Sequence, residues 1–379
     1  MRGPRRIAGV VVALLLLVAS RAGAAQRIDL TASLAAYYDD NILQYSSDQL
    51  ARFEAGTSPA QFSIRRRDDR VWNPSLVTSW ETSSTSDRRH GLRLKGEGRF
   101  HQENGTCDFR SLSVGWREWF PSERRLALSY YVLPHYYLRQ LQDLDDPELA
   151  SNPGLASTWY RRADFELQIA SAGWNQRILE KTRLELSYQY ERRRYNSRFR
   201  ERDSGTHQAE AGLVWNRLPS RASVDLRGGY RISDARAGSF IDPRNGQTAP
   251  HADLSYHGIV GGANGSAELA RRGRLRLQGD LAWEIETRDF DARDPADRIH
   301  FGRLDVFNAG EAGLRGVLRR HWSLRGFYRI ESNHARLGAP LASSTDPASY
   351  RVNQAGIVVE WSGAIWRSAA DAAEEEGTP

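Results

Sequence analysis

Arg274-Leu275-Arg276-Leu277-Gln278-Gly279-Asp280-Leu281-Ala282-Trp283-Glu284-Ile285-Glu286 decides the fold class. Leu275, Leu277, Leu281, Trp283 and Ile285 share one parity, with Gly279 in step between them, while Arg274, Arg276, Gln278, Asp280, Glu284 and Glu286 take the other. Successive side chains of a strand point to opposite faces, so this ribbon is apolar on one side and charged on the other. A helix would scatter both sets around its circumference.

The pattern recurs along the chain. Upstream lie Ile28 to Ala36, Trp72 to Trp80, Leu92 to Phe100, Leu112 to Trp116, Leu126 to Tyr136 (including Pro134), Ala163 to Ile169 and Leu184 to Tyr190. Then come Ala209 to Trp215, Val224 to Ile232 and a Gly-rich ribbon from Ile259 to Leu269; downstream lie Leu304 to Leu314, Trp322 to Ile330 and Ala355 to Trp361. The segments between them alternate in length. Short ones sit near Ser84–Arg89, Phe120–Arg125, Arg217–Arg221, Ala270–Gly273 and Arg319–His321, with a somewhat longer one near Trp174–Thr182. Long ones sit near Leu43–Asp69, Gln140–Ser157, Ala235–Ala252, Arg288–Gly302 and Arg336–Tyr350; 103–108 and 196–205 occupy long-loop positions too.

Short turns at one end and long loops at the other are the habit of outer-membrane barrels, and the ribbons number about 14, within a range of about 12 to 16. A soluble sandwich would also alternate, but it rarely needs such regular loop asymmetry. The expected fold is all-β: a transmembrane, antiparallel, up-and-down β-barrel. Trp72, Trp80, Trp116, Trp119, Tyr136, Trp215, Trp283 and Trp322 are candidates for its interfacial aromatic girdles.

The N-terminus fits export. Arg2, Arg5 and Arg6 precede an apolar run from Ile7 to Ala19, and Ala22-Gly23-Ala24 supplies a small-residue cleavage site. These are the parts of a secretory signal peptide, and the run is too short for a membrane-spanning helix. The domain reading is therefore signal peptide 1–24, barrel 25–366 and an acidic, Ala-rich, disordered tail 367–379. The one cysteine, Cys107, excludes an intramolecular disulfide framework. The net charge of +6 is spread among acids, with no basic block to indicate nucleic acid.

With apolar faces toward lipid, the other faces line the lumen. That set comprises Arg93, Glu97, Arg99, Arg117, Glu185, Arg227, Arg231, Arg276, Asp280, Glu284, Arg325, Arg329 and Glu331. Arg183, Glu166, Glu210, Asp225, Glu311 and Glu360 belong with it. Buried unpaired charges are costly, so these groups line water or form cross-strand ion pairs. Catalytic groups are thin: the nine histidines are scattered among turns, strand ends and loops without dyad spacing, and no cofactor is indicated. Asp143-Leu144-Asp145-Asp146 and Asp289-Phe290-Asp291 offer oxygens of the kind Ca²⁺ accepts, but such runs are more often solvated loops.

Gln354, Gly356, Val359 and Trp361 occupy the positions of the signal that barrel-assembly machinery reads on a last strand: polar, Gly, apolar, aromatic. At the other end, Tyr37-Tyr38-Asp39-Asp40-Asn41-Ile42 resembles the Y-D-D-N opening of outer-membrane β-barrel porins associated with exopolysaccharide export. Barrels that move surface lipoproteins share this opening but usually carry a helical repeat domain first. A TonB-dependent transporter would need a plug before Ile28, and a fatty-acid transporter an N-terminal hatch and an apolar lumen. The resemblance implies a porin-like channel for polar solutes, with polysaccharide favoured, Tyr37 and Tyr131 available to stack on sugars, and polysaccharide-export components as partners. Physically, Asp39, Asp40 and Asn41 also suit a strand exit fixed by side-chain hydrogen bonds to backbone. Two other classes stand beside the channel: a closed interaction barrel with an ion-paired core, and an outer-membrane lipid-modifying enzyme.

Overall fold

A computed structural model describes residues 25–83, 88–143, 159–218, 221–242, 247–250, 253–273, 275–292, 297, 300–319, 321–337 and 348–368. The expected signal peptide and residues 369–379 of the expected tail lie outside them. The strands are β1 (Ala25–Asp39), β2 (Asp69–Ser83), β3 (Arg89–His101), β4 (Phe109–Phe120), β5 (Arg124–Gln142), β6 (Tyr160–Leu179), β7 (Thr182–Tyr195), β8 (Ser204–Leu218), β9 (Ala222–Ala235), β10 (Ser239–Asp242), β11 (Gln247–Pro250), β12 (Tyr256–Arg272), β13 (Leu275–Phe290), β14 (Leu304–Arg319), β15 (Trp322–Arg336) and β16 (Tyr350–Arg367). β10 and β11 form a separate two-stranded antiparallel sheet, and the other fourteen close into one antiparallel barrel in sequence order.

Away from the bulges, register is in phase around the whole circuit. Exposed apolar residues, such as Leu281 at 67% and Ile259 at 62%, fall on the outer parity of their strands. Along the middle of the same strands the charged residues take the inner parity, because antiparallel partners directly opposite share a face.

The turn between β4 and β5 is tight. Ser122 and Glu123 both have positive φ, 67° and 55°, the backbone that matches a two-strand hairpin to its twist. The connection expected to be somewhat longer, near Trp174–Thr182, is only Glu180–Lys181, since β6 runs to Leu179.

β6 also corrects a facing. Ala163, Phe165, Leu167 and Ile169 looked like the outer set, with Glu166 inside; pairing with β7 puts Phe165 opposite Tyr195 and Ile169 opposite Glu191, on the inner face. Glu166 therefore points outward. Near the short turns the apolar parity of β6 switches to Ala170, Ala172, Trp174 and Ile178, and Ile178 is exposed on the outside. The chain keeps its facing while its surroundings change. Toward the long loops the outer wall is polar, with Asp164 bound by Arg162 (2.7 Å) and His135 (3.2 Å). A strand that leaves an apolar medium for water reverses the side it makes apolar.

Tyr136 is a second correction. A register shift between Leu133 and Tyr136, around Pro134, turns it from the outer parity to the inner one. Proline cannot donate to the ladder and is accommodated at such bulges. Trp119, also read as a girdle residue, shares the inner parity through its pairing with Arg125, and Trp283 sits in mid-strand.

The barrel closes where β1 meets β16. Asp39 accepts from Gln354 Nε2 (2.8 Å) and from the Asn41 backbone N–H (3.0 Å). Asp40 accepts from the Asn353 backbone N–H and side-chain amide, both at 2.7 Å. Asn41 donates to the carbonyls of Tyr45 (2.8 Å) and Arg351 (3.1 Å) and accepts from Tyr45 N–H (2.9 Å). Gly356 lies opposite Tyr37, where a Cβ would stand 2.4 Å from Tyr37 Cβ and 2.6 Å from Ala36 O. The opening and closing motifs are thus partners in one seam. The seam extends beyond the expected barrel limit: Arg367 pairs with Arg27, and Ser368 N–H donates to Gln26 O (2.9 Å).

Gly356→Val should prevent closure, while Gly326→Val, with nothing within 4 Å of its Cβ, should not. The measurement is the fraction of refolded protein showing heat-modifiable gel migration. Equal yields for the two variants would remove the steric role of Gly356.

Candidate functional site

The inner face of β9, β13, β14 and β15 carries a linked set of ion pairs. Arg325 holds Asp280 in close contact and Glu311 at 2.6 Å. Arg329 pairs with Glu331 at 2.7 Å and approaches Glu311 (3.8 Å) and Glu284 (4.0 Å). Arg227 reaches Glu284 (3.4 Å), and Glu286 is bound by Arg231 and Arg288, each at 2.8 Å. Two of these pairs cross an intervening strand over a glycine. A Cβ on Gly262 would meet Arg227 Nε at 2.9 Å, and one on Gly313 would fall within 2.6 Å of the Arg325 guanidinium. Alternating charge and missing side chains bring together residues that neighbouring-strand pairing alone would keep apart.

Apart from the outward Glu166, the rest of the expected lumen set shares the inner parity but is less connected. Arg93 and Arg117 lie on β3 and β4 with no ion pair within 4 Å among the described residues, and Arg276 is likewise unpaired near the short-turn end. Glu97 is held by Lys95 (2.5 Å) and Ser111 (3.1 Å), and Glu185 binds the Asn175 amide and approaches Arg125 (3.9 Å). Arg99 meets aromatic rings rather than acids. Its guanidinium carbon is 5.1 Å from the Phe109 ring centroid and 5.9 Å from that of Tyr37, and its Nε is buried without a partner. Of the final-strand signal, Gln354 and Gly356 face inward at the seam, and Val359 and Trp361 take the outer parity.

The β1–β2 connection enters this interior. It contains helix α1 (Ser47–Glu54), whose Ser46 and Gln49 form a capping box. Leu43, Tyr45, Ile64, Cys107 and Tyr137 make a buried cluster, with Ile42, Leu50, Phe53 and Phe62 packed on it. Arg139 of β5 donates to Leu43 O (3.0 Å), and the next residue, Gln44, donates to Glu331 of β15 (3.4 Å). β5 and β15 stand six strands apart in a ring of fourteen, so this stretch crosses the barrel interior. Below it lies a cavity of about 410 Å³ lined by side chains from both sides, among them Tyr37, Arg99, Tyr136, Glu311 and Arg329.

Sequence reading missed the interior role of Phe109, Phe165, Tyr195, Phe327 and Arg139. The available signals were Pro134 and the parity switch within β6. No group of three or more His, Cys, Asp or Glu suited to a metal occurs among the described residues. Asp289 and Asp291 face His257 (3.9 and 3.0 Å), and Asp143 binds Arg198 (2.8 Å), while 144–146 lie outside the described residues.

No family model matches the chain, and no curated protein matches it. Among solved structures it is similar to a bacterial polysaccharide outer membrane secretin, with 10% identity over 87% of this chain and 97% of that one and a TM-score of 0.43. It is also similar to OccAB3 of Acinetobacter baumannii (11% identity, 90% and 99% covered, TM-score 0.38). The anion-selective porin from Comamonas acidovorans compares similarly (9% identity, 89% and 100% covered, TM-score 0.38). None of these likenesses bears on cargo.

Two outcomes follow from the geometry. Arg325→Met strips both acids of their main partner and should destabilise the barrel by about 1–3 kcal/mol. Adding Asp280→Asn and Glu311→Gln should recover part of that loss, read as the urea midpoint of the refolded protein. Burial pushes the Cys107 thiol up to about 12, so the thiolate is scarce at pH 8. Iodoacetamide at pH 8 should leave Cys107 untouched in the folded protein and label it in urea; fast labelling of folded protein would contradict the packing of the β1–β2 connection.

Proposed function

We propose that the chain is a porin-like barrel of a Gram-negative outer membrane that passes polar solutes. The observation that carries this reading is the closed ring of strands with an apolar exterior and a charged, hollow interior. A closed barrel leaves no unpaired edge in hydrocarbon, which permits strands to span a bilayer. Fourteen strands fall between the small barrels that fill themselves with side chains and the larger ones that leave a channel, so the inward stretch at Leu43–Gln44 controls the bore. The sequence features of residues 1–24 support export across the inner membrane, and the signal at Gln354, Gly356, Val359 and Trp361 supports insertion by barrel-assembly machinery. The Y-D-D-N resemblance favours polysaccharide export as the setting, with export components as partners.

The ion-pair network supports a second reading, an occluded barrel whose charged interior is structural. Single-channel recording separates the two. The refolded full chain in planar bilayers should open steadily, and replacing residues 42–62 with a short Gly-Ser linker should raise its unit conductance. Folded protein that stays silent, with and without the replacement, would leave the occluded barrel.

A further inference from the structure

Six rings line one side of the interior. Phe327 and Tyr37 have centroids 6.1 Å apart, meeting over the bare Gly356. Phe109 and Tyr136 are 5.5 Å apart, Tyr136 and Phe165 5.0 Å, and Phe165 and Tyr195 5.2 Å. Arg99 bridges the two groups by lying against both Tyr37 and Phe109. The run thus passes from β15 through β1 and β3 to β7. Each ring is only partly covered, unlike the sealed Tyr45 and Tyr137 of the nearby loop cluster. Such a row offers successive flat, electron-rich faces, and the C–H faces of pyranose rings are apolar and weakly positive, so they stack on them.

The charges beside this row are unequal in one respect. Every carboxylate of the cavity wall is engaged: Glu97 by Lys95, Glu311 by Arg325, Glu331 by Arg329, and Asp39 by Gln354 and the Asn41 N–H. Arg99 and Arg139 have no carboxylate within 4 Å among the described residues. Arg139 spends one N–H on Leu43 O and lies over the Tyr45 ring, and Arg99 leaves a buried Nε unpaired. The free valences of the cavity are cationic, and they sit among stacking surfaces.

We propose that this collar binds an acidic saccharide, with sugar faces on the ring row and a sugar carboxylate on Arg99. The inference rests on the interior being a solute path, and names the class of solute. A guanidinium matches a carboxylate with two parallel N–H donors, and its pairing in a partly dry site is stronger than in water.

The test is calorimetric titration of the refolded full chain in detergent with hexagalacturonate, using maltohexaose as the uncharged counterpart. Hexagalacturonate should bind more tightly, and Arg99→Gln should weaken it by about tenfold, a larger loss than it causes for maltohexaose. Phe165→Ala should weaken both sugars, and Arg99→Lys should retain part of the preference. Variants are compared only where heat-modifiable migration matches the parent. Equal binding of the two sugars, or an unaltered hexagalacturonate affinity in Arg99→Gln, would overturn the collar. Because binding is read without current, a conducting barrel that ignores hexagalacturonate defeats the collar alone, and a silent barrel that binds it defeats the channel alone.

Discussion

Pairing of the first strand with the last is the constraint on which everything else depends. In hydrocarbon an unpaired strand edge exposes a row of backbone groups with no water to satisfy them. β1 and β16 remove that edge, and they do so with side chains as well as ladder bonds. Asp39, Asp40 and Asn41 grip Gln354, Asn353 and the Arg351 carbonyl, while Gly356 clears the space that Tyr37 occupies. The residues that make the opening motif look like a strand exit also receive the strand that arrives last. One set of polar contacts ends β1, orients the β1–β2 connection through Tyr45, and fixes the register of closure.

Closure makes the interior a place where charge must be balanced locally. Arg325, Arg329, Arg227 and Arg231 each answer acids on neighbouring or next-but-one strands, and Gly262 and Gly313 clear the way for the crossings of Arg227 and Arg325. The opposite side of the interior is organised by rings instead, with Arg99 held by aromatic faces. The same wall therefore has a stiff, self-compensated half and a half whose cation is open.

Medium, rather than sequence hydrophobicity alone, sets which face of a strand is apolar. β6 shows this within one element: Phe165 and Ile169 point in where water surrounds the wall, and Trp174 and Ile178 point out where the apolar band begins. The same change underlies Tyr136, whose facing depends on the bulge at Pro134. A reading that assumes one medium for the whole strand assigns these residues to the wrong side.

The sequence by itself determined the strand character, a strand number near fourteen, the asymmetry of the two ends and the parity of most charged residues, because a period of two is written into neighbouring residues. Arg227, Asp280 and Glu331 could be placed on the inner face from that period alone. Which charges meet was decided only by tertiary structure, since Arg227 reaches Glu284 across β12 through register and a missing Gly262 side chain. The inward course of Leu43 and Gln44, the partnership of the two end motifs and the ring row of the interior were likewise tertiary. Each joins residues far apart in the chain, and no local period records which segments a closed ring will bring face to face.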